Sequence, residues 1–275
     1  MRHALFPISL LLSSAACSSQ ADLARETGVK EDPAALTTAR ATAAARAEGV
    51  DFSDSAKEKG WERSFEYGWP AAVSTQPELA KLLTAERDKF LAQEKSEWAD
   101  ALKDSPTDCV SCGQRSFALE WKMVAETPDF LSLSGAVSTY TGGAHGLYGM
   151  RSLVWDEVRK LAVDGVGVFR SPEALEAALG PKLCAALNAE REKRRGQPVV
   201  PGSGGAGFDE CQHVTDATVL VGSSNGKTFD RIGIWFGPYV AGPYAEGAYE
   251  LTFPVDAKVR AAVKDEFAVA FGKQG

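Results

Sequence analysis

One of the three histidines of this chain, His145, lies in a glycine-rich run, TYTGGAHGLYG, over residues 139–149. Glycines permit a tight backbone path whose amide groups point one way, and such a concavity can hold an anion or a sugar hydroxyl. His145 either donates to a ligand there or bonds a backbone carbonyl and fixes a bend between two subdomains. We interpret it as a positioning group, because the nearby serines lie on predicted strands and not where a nucleophile is needed. The contact candidates of this glycine motif are Tyr140, Gly142, Gly143, His145 and Tyr148.

A second motif, IWFGPYVAGPYAEG, occupies residues 234–247 and places aromatic rings around two Gly-Pro pairs. Large amphipathic rings on a stiff loop lose little entropy when a partner docks, so the motif suits recognition. The alternative is that the rings divide between core and surface and that the tyrosines pack on the chain's own sheet. Glu246 adds an acceptor, and with Glu250 it is a candidate carboxylate pair for glycoside hydrolysis. The contact candidates of this aromatic motif are Trp235, Tyr239, Tyr244 and Glu246.

The N-terminus, MRHALFPISLLLSSAACSSQ, has a cationic start, an apolar stretch and small residues before Cys17. This pattern is typical of a secretory signal peptide. The segment SAAC, residues 14–17, resembles the lipobox of bacterial lipoproteins, with Ser14 where that pattern prefers leucine; the alternative is an ordinary cleavage site. Ser18 favours the outer membrane within the lipoprotein pattern. We therefore expect export, lipidation at Cys17 and a position at the outer membrane facing the periplasm.

The other four cysteines are interpreted in the light of export, because disulfides are the default in an oxidising compartment. Four cysteines allow three pairings. We favour Cys109 with Cys112, in a short polar connection, and Cys184 with Cys211, which would tie a helix to a glycine-rich loop. The C-x-x-C spacing also occurs in redox sites, but those begin a helix after a strand, whereas this one follows a helix.

Charge and composition exclude some partners. The net charge is −7 and the pI is about 5.2, so a phosphate backbone would be repelled and we expect no nucleic acid. After the leader, His145 and His213 are the remaining histidines, and the cysteines are assigned to disulfides. We therefore expect no metal site and no cofactor.

The elements that must position the two motifs follow from hydrophobic periodicity. Helical spacing predicts one helix over residues 76–103 and another from Ser171–Pro172 to about Arg195. Asn225–Gly226 predicts a type I′ hairpin. Alternation of apolar and polar residues predicts strands over residues 64–70, 115–127, 130–140, 146–158, 217–223, 229–237 and 248–255. Helices and hairpin-linked strands in separate runs predict an α+β fold of antiparallel sheets with long amphipathic helices packed on them.

The predicted organisation has four parts. Residues 1–16 are the signal peptide, and residues 17–57 are a polar, alanine-rich tether without a buried periodicity. Residues 58–150 form a first α+β subdomain, and residues 151–275 form a second.

Together the glycine motif and the aromatic motif resemble the paired extracytoplasmic domains of lysozyme-sensing anti-sigma factors and of the non-catalytic region of peptidoglycan deacetylases. The resemblance covers about residues 60–273, and residues 58–150 correspond to the deacetylase-associated module. It implies a secreted or membrane-tethered α+β unit at the cell envelope, in at least one case binding lysozyme. The transmembrane helix and sigma-binding segment of the anti-sigma factors and the metal-binding catalytic domain of the deacetylases have no counterpart here, so neither activity is transferred.

Three functions follow as hypotheses. The first is a lipid-anchored module that binds a cell-wall glycan or a lysozyme-like protein. The second is an envelope hydrolase that uses carboxylates. The third is a non-catalytic structural lipoprotein. We favour the first, and enzymatic activity is not part of it.

Overall fold

The computed structural model describes residues 48–106, 108–109, 111–200, 202 and 207–272. Its strands are β1 (Val50–Glu58), β2 (Trp61–Trp69), β3 (Arg115–Thr127), β4 (Phe130–Tyr140), β5 (Leu147–Asp156), β6 (Leu161–Val163), β7 (Thr218–Gly222), β8 (Arg231–Phe236) and β9 (Tyr249–Pro254). Its α-helices are α1 (Ala71–Ser74), α2 (Pro77–Asp104), α3 (Pro172–Leu179), α4 (Pro181–Arg195) and α5 (Ala257–Ala262). Short 3-10 segments lie at Val166–Val168, Val214–Asp216, Tyr244–Glu246 and Asp265–Phe271. The predicted α+β class is confirmed.

The larger sheet has the strand order β1-β2-β3-β4-β5-β6. Neighbouring strands are antiparallel except β2 and β3, which run parallel because α1 and α2 carry the chain back between them. The β3–β4 hairpin leads directly into the glycine motif, as predicted. β1 was not predicted: residues 50–57, assigned to the tether, pair along the whole length of β2.

The long helix α2 covers one face of this sheet. Leu79 and Leu83 are fully buried against a cluster that includes Phe65 and Leu119. The apolar stripe of the helix therefore meets the inward set of alternating strand residues, and the prediction of one helix over residues 76–103 is confirmed.

The second predicted helix is two helices. Gly180 has φ +57° and Pro181 follows it, so the chain leaves helical geometry after α3 and begins α4 at the proline. Proline removes an amide donor and fixes φ, which suits a first helical turn and not an interior. The apolar spacing continues across the break, and for that reason periodicity alone did not reveal it.

The smaller sheet has the order β7-β8-β9, all antiparallel. The type I′ prediction at Asn225–Gly226 is wrong, because the loop between β7 and β8 spans residues 223–230 and Asn225 does not have a positive φ. The side chain of Asn225 instead accepts hydrogen bonds from the amides of Lys227 and Thr228, at 2.7 and 2.9 Å. An Asx-type turn thus replaces the tight hairpin.

Both disulfides favoured from sequence are present, Cys109–Cys112 and Cys184–Cys211. The first closes the turn after α2, where the indole N–H of Trp61 donates to the Cys109 carbonyl at 3.0 Å. The second ties α4 to the loop that precedes β7.

The two sheets share one apolar core. Phe130 and Val154 of the larger sheet belong to the same buried cluster as Val219 and Ile232 of the smaller sheet. The larger sheet itself continues to residue 163, past the boundary at residue 150 between the two predicted subdomains.

Backbone contact holds the sheets at close range. The hydroxyl of Thr218 on β7 donates to the Met150 carbonyl on β5 at 2.7 Å. The amide of Gly165, which follows β6, donates to the Ser152 hydroxyl on β5 at 2.9 Å and so holds Gly165 in place beside β7. A Cβ atom on Gly165 would lie 1.9 Å from the carbonyl oxygen of Val219, so this position has no room for a side chain.

We expect Gly165→Ala to lower the free energy of unfolding by about 1–3 kcal/mol, the usual range for overpacking. Gly222→Ala is the matched control, because its Cβ would meet its nearest neighbour at 3.5 Å, an ordinary contact. Denaturant unfolding of both variants measures the difference. Equal stability of the two variants would show that the junction between the sheets accommodates a methyl group at residue 165 without loss of stability.

Candidate functional site

Rings from the two motifs come together on one surface, which we call the ring patch: His145, Tyr148, Tyr239 and Tyr244. The imidazole of His145 stacks on Tyr244 with centroids 4.2 Å apart and planes inclined by 24°. Tyr148 meets Tyr244 edge-on at 6.0 Å, and Tyr239 lies 5.6 Å from it. The Tyr244 hydroxyl donates to the Gly146 carbonyl at 2.9 Å, so residues almost one hundred positions apart are fixed together.

The patch is accessible although its members hold one another in place. Tyr239 is 51% exposed and Tyr148 is 40% exposed. Tyr239 also has φ +68°, in the left-handed region that side chains other than glycine rarely adopt. An exposed aromatic side chain on a mildly strained backbone is a feature that protein surfaces use to recognise partners.

The glycines of the first motif build a turn. Gly142 and Gly143 have φ +88° and +98°, and a Cβ on Gly142 would lie 2.9 Å from the carbonyl oxygen of Ser111. The hydroxyl of Tyr140 donates to the Gly143 carbonyl at 2.8 Å. The Nδ1 atom of His145 lies 2.9 Å from the Gly146 carbonyl oxygen. The glycine motif thus packs against the disulfide turn at residues 109–112, and of its candidates His145 and Tyr148 join the ring patch.

An arginine cluster on α4, formed by Arg191, Arg194 and Arg195, supports the aromatic motif from behind. Arg191 is fully buried and its Nε donates to the Ala241 carbonyl at 2.9 Å. Arg194 donates to the Glu246 carbonyl at 2.6 Å. Arg195 donates to both carboxylate oxygens of Glu246, at 2.8 and 3.0 Å.

The loop closed by the Cys184–Cys211 disulfide completes this support. Asp209 accepts from Arg195 at 2.5 Å, and the Glu210 carbonyl accepts from Arg191 at 2.9 Å. The structure therefore places Glu246, a ligand-contact candidate, in the support of the loop. Its carboxylate binds Arg195 and the Tyr249 hydroxyl.

The charges in this network shift the pKa values of its members. Burial by itself would raise the pKa of Glu246, but hydrogen bonds from Arg195 and Tyr249 outweigh it and lower that pKa. The same contact raises the pKa of Arg195. Burial, with the hydrogen bond to Glu246, raises the pKa of Tyr249 to about 12. Glu246 is thus held as a carboxylate.

A cleft of about 740 Å³ adjoins the ring patch on the face of the larger sheet opposite α2. Tyr148, Met150 and Val154 lie an even number of positions apart on β5, so their side chains lie on the same face of the larger sheet. The smaller sheet covers this face at Val154 and leaves it open at Tyr148 and Met150. Trp235 and Glu250, directly opposite each other on β8 and β9, line the cleft as well.

Two rows of paired residues cross five strands to form the floor of the cleft. One row is Ser53, Glu66, Ala118, Ser138 and Tyr148, and the other is Asp51, Gly68, Glu120, Ala136 and Met150. The side chains near the centre of the floor are small. Carboxylates stand on β1, β2 and β3.

Of these floor residues, only Tyr148 was predicted as a contact residue from the sequence. Asp51 fell in the predicted tether, and Glu66 and Glu120 fell within predicted strands to which no site was assigned. The sequence does contain a sign of the cleft floor, because small and acidic residues occupy alternate positions of adjacent strands. This pattern indicates a cleft only when the strand register is known.

The positions of the candidate catalytic groups do not form a catalytic site. Glu246 binds Arg195, while Glu250 lines the cleft from the strand β9, so the two do not face a common substrate. The segment GSSNG, residues 222–226, matches the G-x-S-x-G motif of a nucleophile elbow. It connects two strands, however, whereas a nucleophile elbow connects a strand to a helix. His213 lies 2.8 Å from Glu176 on α3. In the part of the chain that the structure describes, no group of three or more His, Cys, Asp or Glu side chains could hold a metal ion.

No protein-family model matches the chain, and no curated protein matches it. Two solved structures that resemble this chain are of DUF3298 family proteins, members of an uncharacterised domain family. One, from Bacteroides fragilis NCTC 9343, is 13% identical with a TM-score of 0.45, over 81% of this chain and 94% of that chain. Another, from Pseudomonas aeruginosa PAO1, is 14% identical with a TM-score of 0.46, over 80% of this chain and 95% of that chain. Similarity at this level assigns neither a function nor site residues.

The positive φ of Tyr239 yields a prediction about stability. Tyr239→Gly removes ring contacts but relieves a strain of about 1 kcal/mol, whereas Tyr239→Ala removes the same contacts and keeps the strain. We expect the glycine variant to be the more stable of the two, although glycine adds unfolded-chain entropy. Denaturant unfolding decides; a less stable glycine variant would show that the loop is unstrained.

The lowered pKa of Glu246 yields a pH dependence. A carboxyl group whose folded-state pKa lies below its ordinary value of 4.5 stabilises the fold above that value, and the contribution is lost as the pH falls through the folded-state pKa. We expect Glu246→Gln to cost about 1–3 kcal/mol at neutral pH and to lose less stability than the wild type below about pH 4.5.

Unfolding curves across this pH range test the expectation. Glu126→Gln is the control, because Glu126 is exposed on β3 and makes no ion pair with any residue the structure describes. It should keep the wild-type pH dependence. If Glu246→Gln keeps it too, the ion pair with Arg195 contributes nothing to stability.

Proposed function

We propose that this chain is a non-catalytic binding module of the bacterial cell envelope. Its contact surface is the ring patch, and its partner is a cell-wall glycan or a lysozyme-like protein. The single observation that supports this most is the convergence of His145, Tyr148 and Tyr239, all exposed, around the ring of Tyr244.

The support for recognition comes from the way the rings are held. Tyr244 is bonded to the glycine turn, and the loop that carries Tyr239 and Tyr244 is fastened to α4 by Arg191, Arg194 and Arg195. A surface ordered before binding loses less entropy on binding. A purely structural lipoprotein would have no use for a ring that is half exposed and has a positive φ, as Tyr239 is.

The cellular setting is part of the proposal. Residues 1–47, which include the predicted leader and Cys17, lie outside the described residues. Within the residues that are described, no helix has the length and apolar character to cross a membrane. We propose that lipid on Cys17 anchors the chain at the outer membrane, with the remainder in the periplasm. The two disulfides agree with an oxidising compartment.

The hydrolase alternative has less support. A glycosidase needs two carboxyl groups that flank the scissile bond about 5–9.5 Å apart. Of the candidate pair, Glu246 binds Arg195 and Tyr249, so Glu250 alone is available to a substrate.

The test uses the chain from Ser18 onward, which lacks the leader and the lipidated cysteine. Surface plasmon resonance with a basic lysozyme and co-sedimentation with purified peptidoglycan measure the two partner classes separately. We expect binding to one of them, weakened about tenfold by Tyr239→Ala and by Tyr148→Ala, as for a central contact residue.

Val158→Ala is the control, because Val158 is 71% exposed just beyond the end of β5 that lies farthest from Tyr148. It removes apolar surface without touching the ring patch and should leave the affinity unchanged. Binding to neither partner, or binding that all three variants leave intact, would contradict the proposal.

A further inference from the structure

The charged residues that line the cleft beside the ring patch are all acidic. Among the described residues that line it, four are carboxylates and none is lysine, arginine or histidine. They are Asp51, Glu66, Glu120 and Glu250. Its volume of about 740 Å³ falls within the range of about 300–1,000 Å³ that small ligands and oligosaccharide ends occupy.

Most of these carboxylates have no protein partner. Glu120 forms an ion pair with Lys122 at 3.1 Å, and both side chains are more than half exposed. Asp51, Glu66 and Glu250 make no ion pair or side-chain hydrogen bond with any residue in the described part of the chain. A cation that enters the cleft therefore meets acceptors that no other group occupies.

The cleft also offers a neutral donor and an aromatic face. The side chain of Trp235 is 8% exposed, lines the cleft, and has an indole N–H for which the described residues provide no acceptor. The ring of Tyr148 borders the same space and is 40% exposed. A donor without a protein partner, set beside carboxylates, suits a ligand that has both an acceptor and a positive charge.

We propose that the cleft binds a glycan whose sugars carry free amino groups. The ammonium groups bind the carboxylates of Asp51, Glu66 and Glu250. A ring hydroxyl accepts the hydrogen bond from the Trp235 indole, and the apolar face of a sugar packs on Tyr148.

Each part of the cleft discriminates against a competing ligand. An N-acetylated glycan lacks the positive charge, so it leaves the carboxylates unpaired. An aliphatic polyamine has the charge but no acceptor for Trp235. An extended peptide brings a row of amide carbonyl groups, and the lining offers them few donors: the hydroxyls of Ser53, Ser138 and Tyr148 and the indole N–H of Trp235.

This inference rests on the glycan branch of the proposed function and names the sugar chemistry at a site separate from Tyr239. The test is titration calorimetry on the same chain from Ser18 onward with three probes: tri-glucosamine, its tri-N-acetylated counterpart, and spermidine. We expect tri-glucosamine to bind more tightly than either of the other two, and its affinity to fall as salt is added.

Two variants and a control locate the binding. Glu66→Gln and Glu250→Gln should each weaken the binding of tri-glucosamine by about threefold, the effect of one exposed ion pair. Glu126→Gln removes the same charge from β3 outside the cleft and should leave it unchanged. All three positions are exposed, and thermal melting confirms that each variant is folded.

Several results would overturn the inference. Equal or tighter binding of the N-acetylated trisaccharide would leave glycan recognition standing and reject the amino-sugar assignment. Equal affinity for spermidine and tri-glucosamine would show that the cleft binds cations in general and does not recognise a sugar. Absence of binding by every probe would reject the cleft as a site, whereas the lysozyme and peptidoglycan measurements on Tyr239→Ala would still decide the proposed function.

Discussion

Burial of apolar surface between the two sheets is the constraint on which the rest of this structure depends. The smaller sheet buries Val219 and Ile232 in the same core as Phe130 and Val154 of the larger one. Neither sheet can bury these side chains alone, so the hydrophobic effect selects their docked arrangement. The contact of Gly165 with Val219 and the hydrogen bond from Thr218 to Met150 fix it at close range.

This docking decides which loops become neighbours. The glycine motif ends β4 and begins β5, while the aromatic motif connects β8 to β9, and both lie on one side of the sheet junction. Because the smaller sheet covers only part of the face at β5, the uncovered part remains as the cleft. The ring patch and the cleft are therefore two consequences of the same packing, and Tyr148 belongs to both.

Arg191, which is buried, and Arg195, which is partly buried, show how polar groups are used in this arrangement. Arg191 and Arg195 point from α4 toward carbonyl groups and carboxylates of the aromatic motif and of the disulfide-closed loop. Burial of a guanidinium is costly where its donors stay unpaired, and Arg191 pairs its Nε and Nη1 while its Nη2 has no partner in the described part of the chain. The pairs that do form hold the aromatic motif and the disulfide-closed loop against α4. Rigidity of the ring patch is thus provided by α4, and the glycine and aromatic motifs supply the rings themselves.

Local sequence determined much of the fold, because alternation and helical spacing are local properties: α2, the β3–β4 hairpin and the strands β2 to β5 and β7 to β9 follow from them. It failed where a single backbone feature overrides periodicity, as at Gly180–Pro181, and where a strand has few large apolar residues, as β1 does with Val50 and Phe52. The sequence also named the rings of the patch by residue type and both disulfide pairs by compartment and spacing. Only the tertiary structure decided that Glu246 supports the loop, that Tyr148 meets Tyr244, and that carboxylates of β1, β2, β3 and β9 face one cleft. Those outcomes depend on strand register and on the docking of two sheets, which join residues distant in the chain through contacts that no local pattern encodes.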